Sequence, residues 1–131
     1  MAAQIEYLEG TDTQKSRAYS PAVITQGGKT IWLAGQTTTV DESGKDISGN
    51  FDAQARAIFV LMDRTLKRAG GSLANLVTMT VFITDPRYGD AFVKIRGEMF
   101  RDGRFPASAL ITVTAFARPG ILIEIQGVAV V

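Results

Sequence analysis

Residues 104–131, RFPASALITVTAFARPGILIEIQGVAVV, hold two alternating segments on either side of Arg118-Pro119-Gly120. In the first, Ala109, Ile111, Val113 and Ala115 oppose Leu110, Thr112, Thr114 and Phe116. In the second, Ile121, Ile123, Ile125, Gly127 and Ala129 oppose Leu122, Glu124, Gln126 and Val128. Successive side chains of a strand point to opposite faces, so each segment reads as a strand with one wholly apolar side. The turn between them predicts a hairpin. A sheet built this way must have one face covered, which narrows the possible architectures sharply. Glu124 stands on the mixed side, between two isoleucines, and is the leading candidate for chemistry.

The rest of the chain supplies the cover. Gln4 to Leu8 reads as a short edge strand, and Ser16 to Val23 as a loop containing a proline. Ala22–Thr25 and Thr30–Ala34 alternate, and Gln26-Gly27-Gly28-Lys29 between them predicts a second hairpin. The second of these strands ends at Ala34-Gly35-Gln36, where small residues permit close backbone approach. Thr37 to Asn50 is polar and reads as a surface loop. Asn50 is a plausible N-cap with Asp52 in the first turn, and a helix is predicted to about Ala69. Its stripe is Ala55, Phe59, Met62, Leu66 and Ala69, and Gly70-Gly71 stops it. Leu76 to Thr84 is the clearest strand, broken by Asp85-Pro86. A second helix is predicted over about Tyr88 to Phe100, with Tyr88, Phe92, Ile95 and Met99 inward and Arg96 on the flank. Asp102-Gly103 then turns the chain into the last hairpin. The expectation is one α+β domain over residues 1–131, with six strands and two helices covering one sheet face.

That arrangement leaves the other face uncovered. On it the alternation places Thr78, Thr80, Phe82, Leu110, Thr112, Thr114, Phe116, Glu124, Gln126, Val128 and Val130. Such a face is too apolar to be left wet and too polar for a dry core. It reads as a self-association surface enclosing a polar cavity.

Composition excludes whole classes of chemistry. The chain has no histidine and no cysteine, so there is no Ser-His-Asp triad, no Cys-His pair and no imidazole zinc site. Acid and base work falls to Asp, Glu, Lys, Tyr or water. A formal charge of +1 gives no electrostatic case for nucleic acid or an anionic membrane. No run approaches the ~20 apolar residues a membrane span needs. The first ten residues lack the basic and hydrophobic regions of a secretory signal, so a cytoplasmic address is expected.

Four segments together carry a family resemblance: Ala18-Tyr19-Ser20-Pro21-Ala22-Val23, Leu33-Ala34-Gly35-Gln36, Val77 to Asp85, and Phe105-Pro106-Ala107 followed by Ile123 to Ala129. In this order and spacing the chain resembles the RidA/YjgF family of enamine and imine deaminases. The resemblance implies a chorismate-mutase-like α+β fold, a six-stranded mixed sheet with two helices on one face, and a homotrimer with clefts between subunits. It also implies hydrolysis of a small reactive enamine or imine to a keto compound and ammonia, with no cofactor and no metal.

By the same resemblance, Glu124 is the base or proton shuttle, Tyr19 closes the pocket and donates a hydrogen bond, and Gly35 lends backbone to it. In the family an arginine directly after Pro-Ala grips the substrate carboxylate. Here that position is Ser108, and the family's cleft-facing asparagine becomes Val93. A serine hydroxyl cannot make the bidentate, charge-assisted pair that a guanidinium makes. A 2-imino acid is therefore not the expected substrate: Ser108 would bind a neutral or polar substrate end, and an anionic substrate would need another cation. Arg96 is the first choice, ahead of Arg104 and Arg118, with Leu110 beside Ser108 completing the expected binding set. Three alternatives stand beside it: a ligand-binding or regulatory trimer without turnover, favoured by the missing arginine; a catabolic specialist such as an aminomuconate-type deaminase or a lactam or amide hydrolase; and RNA cleavage, which the resemblance also implies and the near-zero charge opposes.

Overall fold

The computed structural model describes all residues from Met1 to Val131. Six strands form: β1 (Gln4–Tyr7), β2 (Val23–Gln26), β3 (Thr30–Trp32), β4 (Leu76–Ile83), β5 (Ala107–Thr112) and β6 (Ile123–Val130). Helices α2 (Phe51–Arg68) and α3 (Gly89–Met99) match the two predicted from periodicity. A five-residue helix, α1 (Asp12–Ser16), was not expected. Thr11 caps it in a reciprocal capping box with Gln14.

The six strands divide into two sheets. β1 pairs with β2, and the other four lie in the order β3-β6-β4-β5. Neither predicted hairpin closes. Gly27 and Gly28 turn with φ of +67° and +73°, yet β2 pairs with β1 while β3 pairs with β6. The turn therefore links the two sheets. β5 and β6 are likewise not neighbours, because β4 lies between them, parallel to β5 and antiparallel to β6. The central strand offers two ladders, and satisfying both of its edges outweighs local closure through Arg118-Pro119-Gly120.

The core lies between this four-stranded sheet and the two long helices. Ile58, Phe59, Met62, Leu66, Phe92 and Ile95 pack on Met79, Val81, Ile83, Ile123, Ile125 and Ala129, all essentially without solvent contact. Each of these side chains larger than Ala129 contributes roughly 1.5–3 kcal/mol on burial. The parity of β4 and β6 is as predicted, with Glu124, Gln126 and Val128 on the open face opposite Phe82, Thr80 and Thr78. Val130, expected to be exposed there, is instead buried, packed against the turn at Gly28.

The parity of β5 is the reverse of the prediction. Ser108 pairs with Met79 and Leu110 with Val81, so both point to the helix side. Ala109 and Ile111 share the open face with Thr80 and Phe82, and Ile111 remains exposed. The sequence alternation could not decide this, because Leu110 and Ile111 are equally apolar. Val113 to Phe116 lie beyond the end of β5.

One buried polar side chain fixes the approach to β6. Gln54, on α2 and inaccessible to solvent, donates from Nε2 to the carbonyls of Ile47 (3.0 Å) and Gly120 (2.7 Å). Its Oε1 accepts from the Leu122 amide at 2.9 Å, two residues before Glu124. The Leu122 amide has no other partner, whereas the Ile47 and Gly120 carbonyls also accept from the Asn50 and Gly49 amides.

Candidate functional site

The predicted site residues fall into two groups on opposite faces of the four-stranded sheet. The first group is Glu124 and Gly35. After Trp32 pairs with Val128, the Leu33 amide donates to the Gly127 carbonyl and Gln36 pairs with Ile125. Ala34 and Gly35 therefore stand opposite the single residue Gln126, a β-bulge. The Glu124 carboxylate packs over it. A Cβ built on Gly35 would lie 2.5 Å from Glu124 Oε2, so the close approach requires glycine. Glu124 is half-buried on the open face, and no arginine or lysine pairs with it within 4.0 Å.

The second group lies under α3. A cavity of about 200 Å³ is lined by Arg17, Tyr19, Val93, Arg96, Ser108 and Leu110. Arg96, expected on a helix flank, is only 2% exposed. Nη1 donates to Ser108 Oγ at 2.7 Å, and Nη2 donates to the Arg17 carbonyl at 2.9 Å. Its Nε is buried and has no partner. Its guanidinium carbon lies 5.1 Å from the centre of the Phe92 ring and 5.9 Å from that of Tyr19. No carboxylate pairs with it. Burial, and secondarily the charge of Arg17, lowers its pKa to about 10, with Tyr19 acting the other way.

Local structure sets this group. Arg17 caps the C-terminus of α1, and Ala18 follows with φ +60°, a left-handed conformation that a non-glycine residue adopts at some strain. That bend carries Tyr19 to the cavity, and the Arg96 bond to the Arg17 carbonyl holds it. The Gly89 Cβ position lies 3.7 Å from Leu110 and 4.0 Å from Arg17 Nη2, so the first turn of α3 crowds neither.

Tyr19, Val93, Arg96, Ser108 and Leu110 are thus brought together, and Glu124 and Gly35 are brought together apart from them. Leu110 and Ser108 join the cavity from the helix side of β5, the side opposite to the one predicted. Arg104 instead lies over the Tyr7 ring, and Arg118 is exposed. The sequence reading missed Arg17. Its only signal was a cation two residues before Tyr19. No three acidic side chains converge anywhere to form a metal-binding group.

Comparison with known proteins agrees with this architecture. The family model described as Endoribonuclease L-PSP matches residues 11–131. The mouse 2-iminobutanoate/2-iminopropanoate deaminase is 32% identical over 112 residues, covering 86% of this chain and 80% of that protein. The DfrA protein of Myxococcus xanthus is 30% identical over 112 residues, covering 86% and 84%. Among solved structures, the Rid-family protein YyfB of Yersinia pestis superposes with a TM-score of 0.81 over the whole of both chains at 23% identity, a likeness of fold. A YjgF/YER057c/UK114-family protein of Mycobacterium tuberculosis gives a TM-score of 0.68 at 26% identity over 98% and 100%.

Proposed function

The chain belongs to the RidA/YjgF family, and from that premise we propose that it hydrolyses a small imine or enamine bearing a carboxylate, releasing ammonia. The observation that carries this reading is Arg96. A guanidinium 2% exposed, bonded only to neutral oxygens and lining a small cavity, is a cation awaiting an anion. It reaches the cavity from α3 and stands against Ser108, so a charge is supplied although β5 carries a serine where the family has arginine. The cavity is below the ~300–1,000 Å³ of drug-sized ligand sites, which suits a substrate of a few carbons. That size, with a net charge of +1, speaks against an RNA substrate.

The working site forms between copies in a homotrimer. Glu124 and the Arg96 cavity lie on opposite faces of one sheet, so one copy's carboxylate meets the neighbour's cavity. The open face supports such contact, with Trp32 78% exposed in the same row as Val128 and Thr78, and Ile111 exposed two rows away. Arg96, through its own charge and the Ser108 hydroxyl it orients, holds the substrate carboxylate. Glu124 takes a proton from water as the water oxygen adds to the imine carbon. The imine reacts in its protonated form, and the nitrogen of the resulting neutral carbinolamine accepts that proton. As the C–N bond breaks, Glu124 removes the hydroxyl proton and passes it to the departing ammonia, so a keto acid and ammonium leave. An enamine first takes a proton at carbon to become the imine. Tyr19 donates a hydrogen bond at the cavity mouth.

The test is ammonia release from imines generated in situ by an amino-acid oxidase, alongside the molar mass in solution. The expected result is a trimer that accelerates release above the spontaneous rate. A trimer that binds 2-oxo acids without accelerating release is a binding protein, and the hydrolytic reading fails.

A further inference from the structure

Two guanidiniums, not one, face the cavity beneath α3, and no carboxylate lines it. Arg96 is sealed in and has neutral partners only. Arg17 enters from the end of α1. Its one ion-pair partner is Asp90 at 3.0 Å, whose side chain is 92% exposed. A pair so open to water is weak and is readily exchanged for another anion. A ligand with a single carboxylate at Arg96 would leave Arg17 with only this screened partner. The two cationic groups meet different parts of the cavity wall. Arg17 Nη1 pairs with Asp90, and its Nη2 lies 4.0 Å from the Gly89 Cβ position, which is 3.7 Å from Leu110. Arg96 Nη1 instead bonds Ser108 Oγ, two residues before Leu110 on the same face of β5. Two residues of strand span roughly 6.6 Å, so the pair suits two separated anionic groups better than one compact dianion. Val93 and Leu110 provide apolar wall between them, and Gly89 leaves the Arg17 end uncrowded.

From this juxtaposition we infer that the cavity takes a short dicarboxylic acid, one carboxylate held by Arg96 with Ser108 and the other by Arg17. The inference rests on the deaminase reading for the reaction and adds its substrate class, an imine or enamine of a dicarboxylic acid.

The test is calorimetric titration of the intact protein with two five-carbon product mimics, 2-oxoglutarate and 2-oxopentanoate, with inorganic phosphate as a third probe. The diacid is expected to bind about tenfold more tightly than the monoacid, the gain of one partly exposed charge-assisted contact. Arg17→Gln should bring that ratio below about threefold. Arg96→Lys should weaken both acids by about tenfold or more, since lysine offers no planar fork. Equal binding of the two acids by the wild type overturns the inference, as does a preference that survives Arg17→Gln. So does phosphate binding as tightly as the diacid, or no binding of either acid at about 10 mM. Arg17 is partly exposed, so its variant folds and decides the matter even if Arg96→Lys does not fold. Binding needs no turnover. A protein that shows the diacid preference but releases no ammonia keeps this inference and loses the deaminase reading. One that deaminates monocarboxylic imines as readily as dicarboxylic ones does the reverse.

Discussion

The bulge at Gly35 and the cavity under α3 are built in opposite ways. At the bulge a carboxylate lies half-open over a glycine, without a cationic partner. In the cavity a buried guanidinium bonds only neutral groups and shares the space with a second cation, without an anionic partner. The first is held by backbone shape and can accept water. The second is held by two hydrogen bonds and is already oriented before any ligand arrives, which lowers the ordering cost of binding. Each region has what the other lacks, and the sheet between them keeps them apart in a single copy. Under the proposed function this becomes a division of labour, with chemistry assigned to the open carboxylate and recognition to the buried cation.

Substitutions can break or sharpen that division. The largest effect is expected from Glu124→Gln, which keeps the shape and removes the base. Turnover should fall on the order of 10²–10⁴-fold with little change in binding of a 2-oxo acid. A wild-type rate in an ammonia-release assay would remove Glu124 from the mechanism. Next is Gln54→Leu, which leaves the Leu122 amide without a partner and removes the second donor to the Ile47 and Gly120 carbonyls. Urea unfolding should show a loss of about 3 kcal/mol. At temperatures where the variant is folded, turnover should suffer more than ligand binding, since Gln54 anchors the approach to Glu124. Equal damage to both would mean that the two regions are not independent.

Arg96→Met should raise KM by about 10–100-fold and change kcat less, the signature of lost substrate binding. A fall confined to kcat would contradict the recognition role. The smallest effect is expected from Gly35→Ala. The new methyl must push the Glu124 carboxylate aside, and turnover should drop by roughly tenfold, with thermal stability changed by less than about 1.5 kcal/mol. An unchanged rate would show that the carboxylate works from a different position.

Much of the fold was legible because it depended on period. The stripe Ala55, Phe59, Met62 and Leu66 and the alternation of β4 and β6 each report one buried face, and the buried residues follow them. Pairing was less legible. Both glycine-containing turns suggested hairpins, but β4 and β6 recruit partners distant in sequence, and no local turn encodes which edge is filled. The parity of β5 was hidden by Leu110 and Ile111 having the same polarity. Gln54 was hidden within an apolar stripe, since its three partners come from two loops.

The sequence alone determined the α+β class, the two long helices, the open-face position of Glu124 and the absence of any histidine or thiol chemistry. These follow from side-chain periodicity and residue inventory, which need no knowledge of distant contacts. Only the tertiary structure decided that Arg96 is buried against Ser108, that Arg17 joins it, and that Glu124 lies across the sheet from both. Burial and proximity of charges are properties of packed elements, and Arg96 is separated from Arg17 by most of the chain.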